Sequence, residues 1–193
     1  WPEAGETPGA ASGEPLLLTS ARQVARLPKA QANRWTPVRL RGTVTYADAE
    51  WRNGFFEDET GAVYFNLSQP EIRAGQWVEL TGVVAVGGFA PEVAEGKARV
   101  LGSTNWPAPA RVELNELLQG AWDARWIEME GVVRKAHTEW GHTHLSLMTR
   151  SGGFKALIPQ TVSEEQLSNW IDSRVRLRGA CTSQANARGQ LGG

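Results

Sequence analysis

The chain has 193 residues, of which 41% are hydrophobic and 21% charged, a soluble globular composition that excludes a disordered tail. Its formal net charge is −1, and ten Lys/Arg stand against nine Asp/Glu in each of the spans 16–103 and 104–193, so neither half has the cationic excess of a nucleic-acid-binding surface. No apolar run approaches the roughly 18 residues of a membrane helix, and the single cysteine, Cys181, excludes an internal disulfide.

Residues 1–15 (WPEAGETPGAASGEP) are too rich in Pro, Gly, Ala, Ser and Glu to bury a core, and read as a flexible leader. A chain that opens at Trp1 without Met is expected to be a processed or excised form. A short helix is predicted over Ser20–Leu27, stopped at Pro28. The next segment alternates with period two, which predicts Val38, Leu40, Val44 and Tyr46 inward and Arg39, Arg41, Thr43 and Thr45 outward on one long strand. Gly42, mid-strand on the inward face, marks a corner of the kind a small barrel needs to close. Asp58-Glu59-Thr60-Gly61 reads as a hairpin into a strand ending at Leu67. Gln69–Gly75 then connects to a strand at Val78–Gly82, and Gly87-Gly88 turns into a closing strand at Ala98–Leu101. The Pro-rich Asn105–Ala110 is a stiff linker.

Beyond the linker the pattern repeats. Ile127-Glu128-Met129-Glu130-Gly131-Val132-Val133 matches Val38–Val44 at an offset of 89, and Trp140 matches Trp51 at the same offset. Gly152–Ile158 matches Gly61–Leu67 at 91, and Val175–Gly179 matches Val78–Gly82 at 97. Three blocks in one order, with insertions confined to turns, are an internal duplication. The parity is kept: Glu128 and Glu130 are predicted exposed and Met129 buried, like Arg39, Arg41 and Leu40. Short helices are expected near Glu113–Leu118 and over Ser163–Trp170, the latter capped by Ser163 with Glu164 and Glu165 in its first turn. Arg150-Ser151-Gly152 supplies the second hairpin.

The order in each copy is long bent strand, hairpin, strand, connection, strand, hairpin, strand. The fold class is therefore all-β with short helices, two tandem OB-fold five-stranded Greek-key barrels at 16–103 and 111–193 joined by 104–110. The second copy runs short. The first copy runs a further nineteen residues past Gly82 to Leu101, but only fourteen follow Gly179, with a hairpin placed at Asn186–Gly189. Gln190–Gly193 would only begin the fifth strand of that barrel, whose remainder is expected past Gly193, ahead of a membrane anchor.

The run PVRLRGTVTYADAEWRNGFFEDETGAVYFNL, followed by IRAGQWVELTGVVAVGGFAPEV, resembles the extracytoplasmic tandem OB region of bacterial sensor histidine kinases, over residues 16–193. The resemblance implies a non-enzymatic periplasmic input region of an inner-membrane two-component receptor. No cofactor and no nucleic acid is expected. Its partner would be a small ligand or a periplasmic protein, and a homodimer is one arrangement open to it. Its motifs specify architecture and leave the ligand open. An oligonucleotide- or oligosaccharide-binding OB protein is the alternative, and a structural spacer the third.

On an OB-fold the ligand face is strands 2 and 3 with the flanking loops, which places Trp51, Tyr64 and Phe89 in the first copy and Trp140 and Lys155 in the second. Trp51 and Trp140 either cap the barrel mouths or touch ligand. More broadly, nine tryptophans fit an aromatic-lined surface or a packed small core equally well. His142 and His144, two apart, would share a solvent-facing strand face and are the weak metal candidate, but no spaced ligand quartet surrounds them. Glu57, Asp58 and Glu59 read as solvated turn residues, and Cys181 as a buried small apolar residue. Nothing pairs a nucleophile with a base, so no catalytic residue is assigned.

Overall fold

The computed structural model describes residues 16–32, 35–68, 71–103 and 106–183. The leader and the Asn186–Gly189 hairpin lie outside the described residues.

The first unit opens with helix α1 (Ala21–Ala25), α2 (Lys29–Ala32) and strand β1 (Pro37–Asp48). Strands β2 (Asn53–Glu57), β3 (Ala62–Leu67), β4 (Gln76–Ala85) and β5 (Glu92–Ser103) follow. They close in the order β1-β2-β3-β5-β4, with β4 returning to β1 and β5 running parallel to β3. That is the expected OB-type barrel. The inward residues Val38, Leu40, Val44, Phe56, Val63, Phe65, Val78 and Leu80 are buried in one core.

The inward alternation holds along β1 as far as Val44 and then fails, and Thr43 and Thr45, predicted outward, are both buried. A bulge between Val44 and Tyr46 inserts one residue against β2, so Val44 faces Phe56 whereas Tyr46 faces Phe55. One extra residue in a period-two strand flips the side chains beyond it. Tyr46, predicted inward, therefore emerges on the outer face.

α1 is held by its own cap and by the β2–β3 hairpin. The Ser20 hydroxyl accepts from Gln23 N and the Gln23 side chain accepts from Ser20 N, a complete capping box. Asp58 Oδ1 accepts from Thr60 N and Gly61 N inside the hairpin, and its Oδ2 accepts from Ala21 N at 2.8 Å. The acidic cluster is thus structural: Asp58 docks a helix, and Glu57 is buried. Asp58→Ala is expected to cost about 1–2 kcal/mol, the usual cost of losing an N-terminal cap, measured by urea unfolding. Asp58→Asn, which keeps the acceptor, should cost much less.

The second unit contains β6 (Ala110–Arg111), α3 (Leu114–Leu117), β7 (Trp126–Glu139), β8 (His142–Thr149), β9 (Gly152–Ile158), α4 (Glu164–Trp170) and β10 (Arg174–Ala180). Ser163 caps α4 as expected, accepting from Gln166 N. The duplication is visible strand for strand. β7 pairs β10 through Met129↔Leu177 as β1 pairs β4 through Leu40↔Leu80. β6 lies parallel on β7 where Leu18 bridges Val38 in the first unit.

The second sheet, however, does not close. Its order is β10-β7-β8-β9, and among the described residues no strand joins β9 to β10. It is a curled half-barrel whose expected fifth strand lies outside the described residues.

Glu128 also departs from expectation. It is 4% exposed rather than solvated, because Arg111, Arg176 and Arg178 converge on it. Arg178's hydrogen bond, with the nearby guanidinium charges, holds its carboxyl below the usual range against the opposing effect of burial. Arg39, Arg41 and Glu130 are exposed and Leu40 and Met129 buried, as the parity requires. Cys181 is half-buried against Val112, Leu114, Ile127 and Met129, and burial, helped by Asp123, pushes its thiol up to about 11.

Candidate functional site

Because Tyr46 turns outward at the bulge, three aromatic side chains line up across the outer face of the first barrel. Tyr46 pairs with Phe55 and Phe55 with Tyr64 on successive strands β1, β2 and β3. Their rings meet edge to face, with centroids 5.8 and 5.5 Å apart. All three are half-buried. Polar groups border the ladder: Asn66 Nδ2 donates to Glu92 Oε1 at 2.9 Å, and Asn53 Oδ1 is buried with no partner among the described residues. Burial pushes the Tyr64 hydroxyl up, with the Glu92 charge adding to it. An apolar strip edged by amide and carboxylate groups suits a neutral, hydroxyl-rich ligand.

The ladder ends at a joint between the two units. Tyr46 Oη donates to Asp48 Oδ2 at 3.1 Å, and Asp48 Oδ2 also receives His142 Nε2 at 2.5 Å from β8. Asp48 Oδ1 accepts from Glu50 N and Trp51 N, both at 2.9 Å. The carboxylate thus has four donors. His142 Nδ1 meets the Trp140 carbonyl oxygen at 2.6 Å. Both partners of the imidazole can only accept, so both ring nitrogens must donate and His142 is imidazolium. It is 1% exposed, and Trp51 stacks on its ring at 3.9 Å, a cation–π lid.

Burial alone would push the His142 pKa down, but the Asp48 hydrogen bond, the Trp140 carbonyl and the Asp48 and Glu50 charges outweigh it and hold it above the usual value. Burial likewise opposes ionisation of Asp48, yet the Trp51 N–H, His142 and the Tyr46 hydroxyl hold its pKa below the ordinary one. Glu57 also ties the units: its Oε1 pairs with Arg125 at 3.0 Å while its Oε2 accepts from Trp126 N at 2.8 Å, and Trp106 of the linker stacks on Trp126. Burial raises the Glu57 pKa, the Trp126 N–H and Arg125 partly offsetting it.

The residues assigned from sequence are dispersed. Tyr64 is the third rung of the ladder, and Phe89 sits half-buried in the loop leading to Glu92. Trp51 and Trp140 occupy equivalent turns, after β1 and β7, but Trp51 covers His142 whereas Trp140 is 73% exposed. Lys155 is exposed on β9, opposite Ser146. The histidine pair comes apart. His142 is enclosed rather than solvent-facing, with both nitrogens committed, and His144 stacks instead on His137. Among the described residues no three His, Cys, Asp or Glu side chains are grouped to hold a metal.

Sequence reading missed Tyr46, Phe55, Asn66 and Asp48. Phe55 and Asn66 carried a signal, since they share parity with Tyr64 across the hairpin. Asp48 carried none, because its partner is 94 residues away. The chain matches no protein-family model, and no curated protein matches it.

Proposed function

We propose that this chain is the non-enzymatic, extracytoplasmic input region of a membrane-bound two-component sensor histidine kinase, reading a small neutral ligand on the Tyr46–Phe55–Tyr64 ladder. The observation that carries the reading is continuity. The rung at Tyr46 hydrogen-bonds the carboxylate that docks the second unit. A ligand that moves Tyr46 therefore acts on Asp48 and on the orientation of the two units, and it shifts that orientation by its differential affinity for the two states. Stacking aromatics beside Asn66 and Glu92, with no cation among the rungs or their polar border, favour a neutral sugar-like ligand over a polyanionic strand. Among the described residues no helix is long and apolar enough to cross a membrane, so anchoring is proposed from the resemblance alone.

The test is calorimetric titration with neutral oligosaccharides and, in parallel, with single-stranded DNA at two salt concentrations. Saccharide binding is expected, weakened by more than about 1 kcal/mol in Phe55→Ala and in Tyr64→Ala, with Trp140→Ala unchanged. Tight DNA binding with a steep salt dependence would replace this reading with oligonucleotide binding. Silence across both panels would favour a spacer.

A further inference from the structure

We propose that the seam between β9 and β10 is an acceptor for an extended β-strand from outside these 193 residues, apolar on its inward face and acidic on its outward face. In the first barrel that place belongs to β5, parallel to β3 and antiparallel to β4. In the second unit the equivalent edges, β9 and β10, end the sheet among the described residues.

The side chains facing the seam are unfinished. Phe65, Val78 and Leu80 are fully buried under β5, whereas Phe154, Ala156, Ile158, Val175 and Leu177 on β9 and β10 are only partly buried. The repeated glycine is the clearest trace. A Cβ on Gly82 would lie 2.6 Å from Ala94 O and 2.8 Å from Val93 Cγ1, both on β5, so Gly82 makes room for that strand. Among the described residues its counterpart Gly179 has nothing within 4 Å of the same point. The room is kept where no described strand uses it.

Charge on the outer face states what the strand should carry. In the closed barrel Glu79 on β4 is held between Arg41 on β1 and Arg99 on β5, at 3.0 and 2.9 Å. The second unit inverts the signs: Arg176 replaces Glu79, and Glu130 replaces Arg41. Among the described residues Arg111, Arg174, Arg176 and Arg178 together share only Glu128 and Glu130, which leaves two guanidinium charges in excess there. The positions facing Arg176 and Arg178 correspond to Arg99 and Lys97 of β5, two apart on a strand, and carboxylates there would balance the excess. Residues 184–193 contain no carboxylate. A second copy's β5 would bring Lys97 and Arg99, the wrong sign. An acidic, alternating peptide strand from elsewhere fits both faces, joining by strand addition.

The probe is a fluorescent twelve-residue peptide alternating Val and Glu, matching β5 in length, against the same peptide with Lys for Glu, titrated onto the whole chain by anisotropy. The Glu peptide is expected to bind at least about tenfold tighter and to slow amide exchange in β9 and β10. Arg176→Gln with Arg178→Gln should abolish the preference. Gly179→Val should abolish binding without lowering the melting temperature of the free chain. Failure of the Glu peptide to bind, equal binding of both peptides, or protection elsewhere overturns the proposal. So does binding that appears only after removal of residues 184–193, or a dimer in sedimentation that the Glu peptide cannot dissociate.

Discussion

Asp48→Ala is expected to part the two units. It would leave the His142 imidazolium enclosed under Trp51 with one donor facing nothing, and breaking a buried ion pair from one side costs about 3–5 kcal/mol. Solvent is reached simply by separating the barrels, so the cost should appear as lost docking rather than global unfolding. The radius of gyration from X-ray scattering should rise, and Trp51 fluorescence should change as the ring leaves His142. Asp48→Asn is the informative control. Its amide can donate to a neutral His142 while its oxygen keeps the Glu50 and Trp51 amides. It should stay docked at neutral pH and lose most of the pH dependence described next.

Docking has a pH window whose sides follow from the two shifted groups. His142 has a raised pKa, so its contribution is fully present below the ordinary imidazole value of 6.5 and is lost as pH rises through the higher docked value. Asp48 has a lowered pKa, so its contribution is present above the ordinary 3.8 and is lost as pH falls through its lower docked value. These two groups therefore contribute most between 3.8 and 6.5 and less on both sides, while Glu57, whose carboxyl pKa burial raises, contributes fully below its ordinary 4.5 and less as pH rises through its higher docked value. Scattering across a pH series should show the compact form over that interval. A compact form that persists unchanged to strongly alkaline pH would mean that His142 is not the ion the geometry requires.

The duplication made the architecture legible because each copy repeats a period-two burial pattern, and burial on one face of a strand is a local property of sequence. What local reading could not reach was set by two nonlocal events. The bulge at Thr45 turned Tyr46 from core to surface, and with it created the ladder; no residue type there announces an insertion. The joint depends on how two folded units meet, so Asp48 drew no reading, Glu57 read as a solvated turn residue and His142 as a solvent-facing strand residue and weak metal candidate until the partner surface is in place. The same limit explains Glu128, whose alternation demanded exposure but whose arginine neighbours come from β6 and β10. Trp51 and Trp140 were correctly matched as equivalent turn residues, yet their surroundings differ because only one of them faces the other unit.

Glycines matched by the repeat should respond unequally to substitution, because one barrel is shut and the other is not. A Cβ on Gly42 would press on the Glu57 carbonyl oxygen and lie 2.5 Å from Phe56 Cζ, at the corner where β1 turns from β4 to β2. Neither neighbour can yield: Glu57 is pinned through Arg125 and Trp126 N, and Phe56 is fully buried. Gly42→Ala is therefore expected to cost about 3 kcal/mol, the upper end of the usual overpacking range, with a lowered midpoint in urea. At Gly131 the nearest atoms are Phe154 Cε1 at 3.1 Å and Leu147 Cβ at 3.3 Å. Phe154 is only partly buried beside the open seam and can move aside. Gly131→Ala should cost about 1 kcal/mol or less, since relief of glycine's conformational freedom offsets part of the strain. Equal losses at the two positions would mean that the second sheet is as tightly closed in solution as the first. A strand bound in the seam should itself make Gly131→Ala costlier, by fixing Phe154 in place.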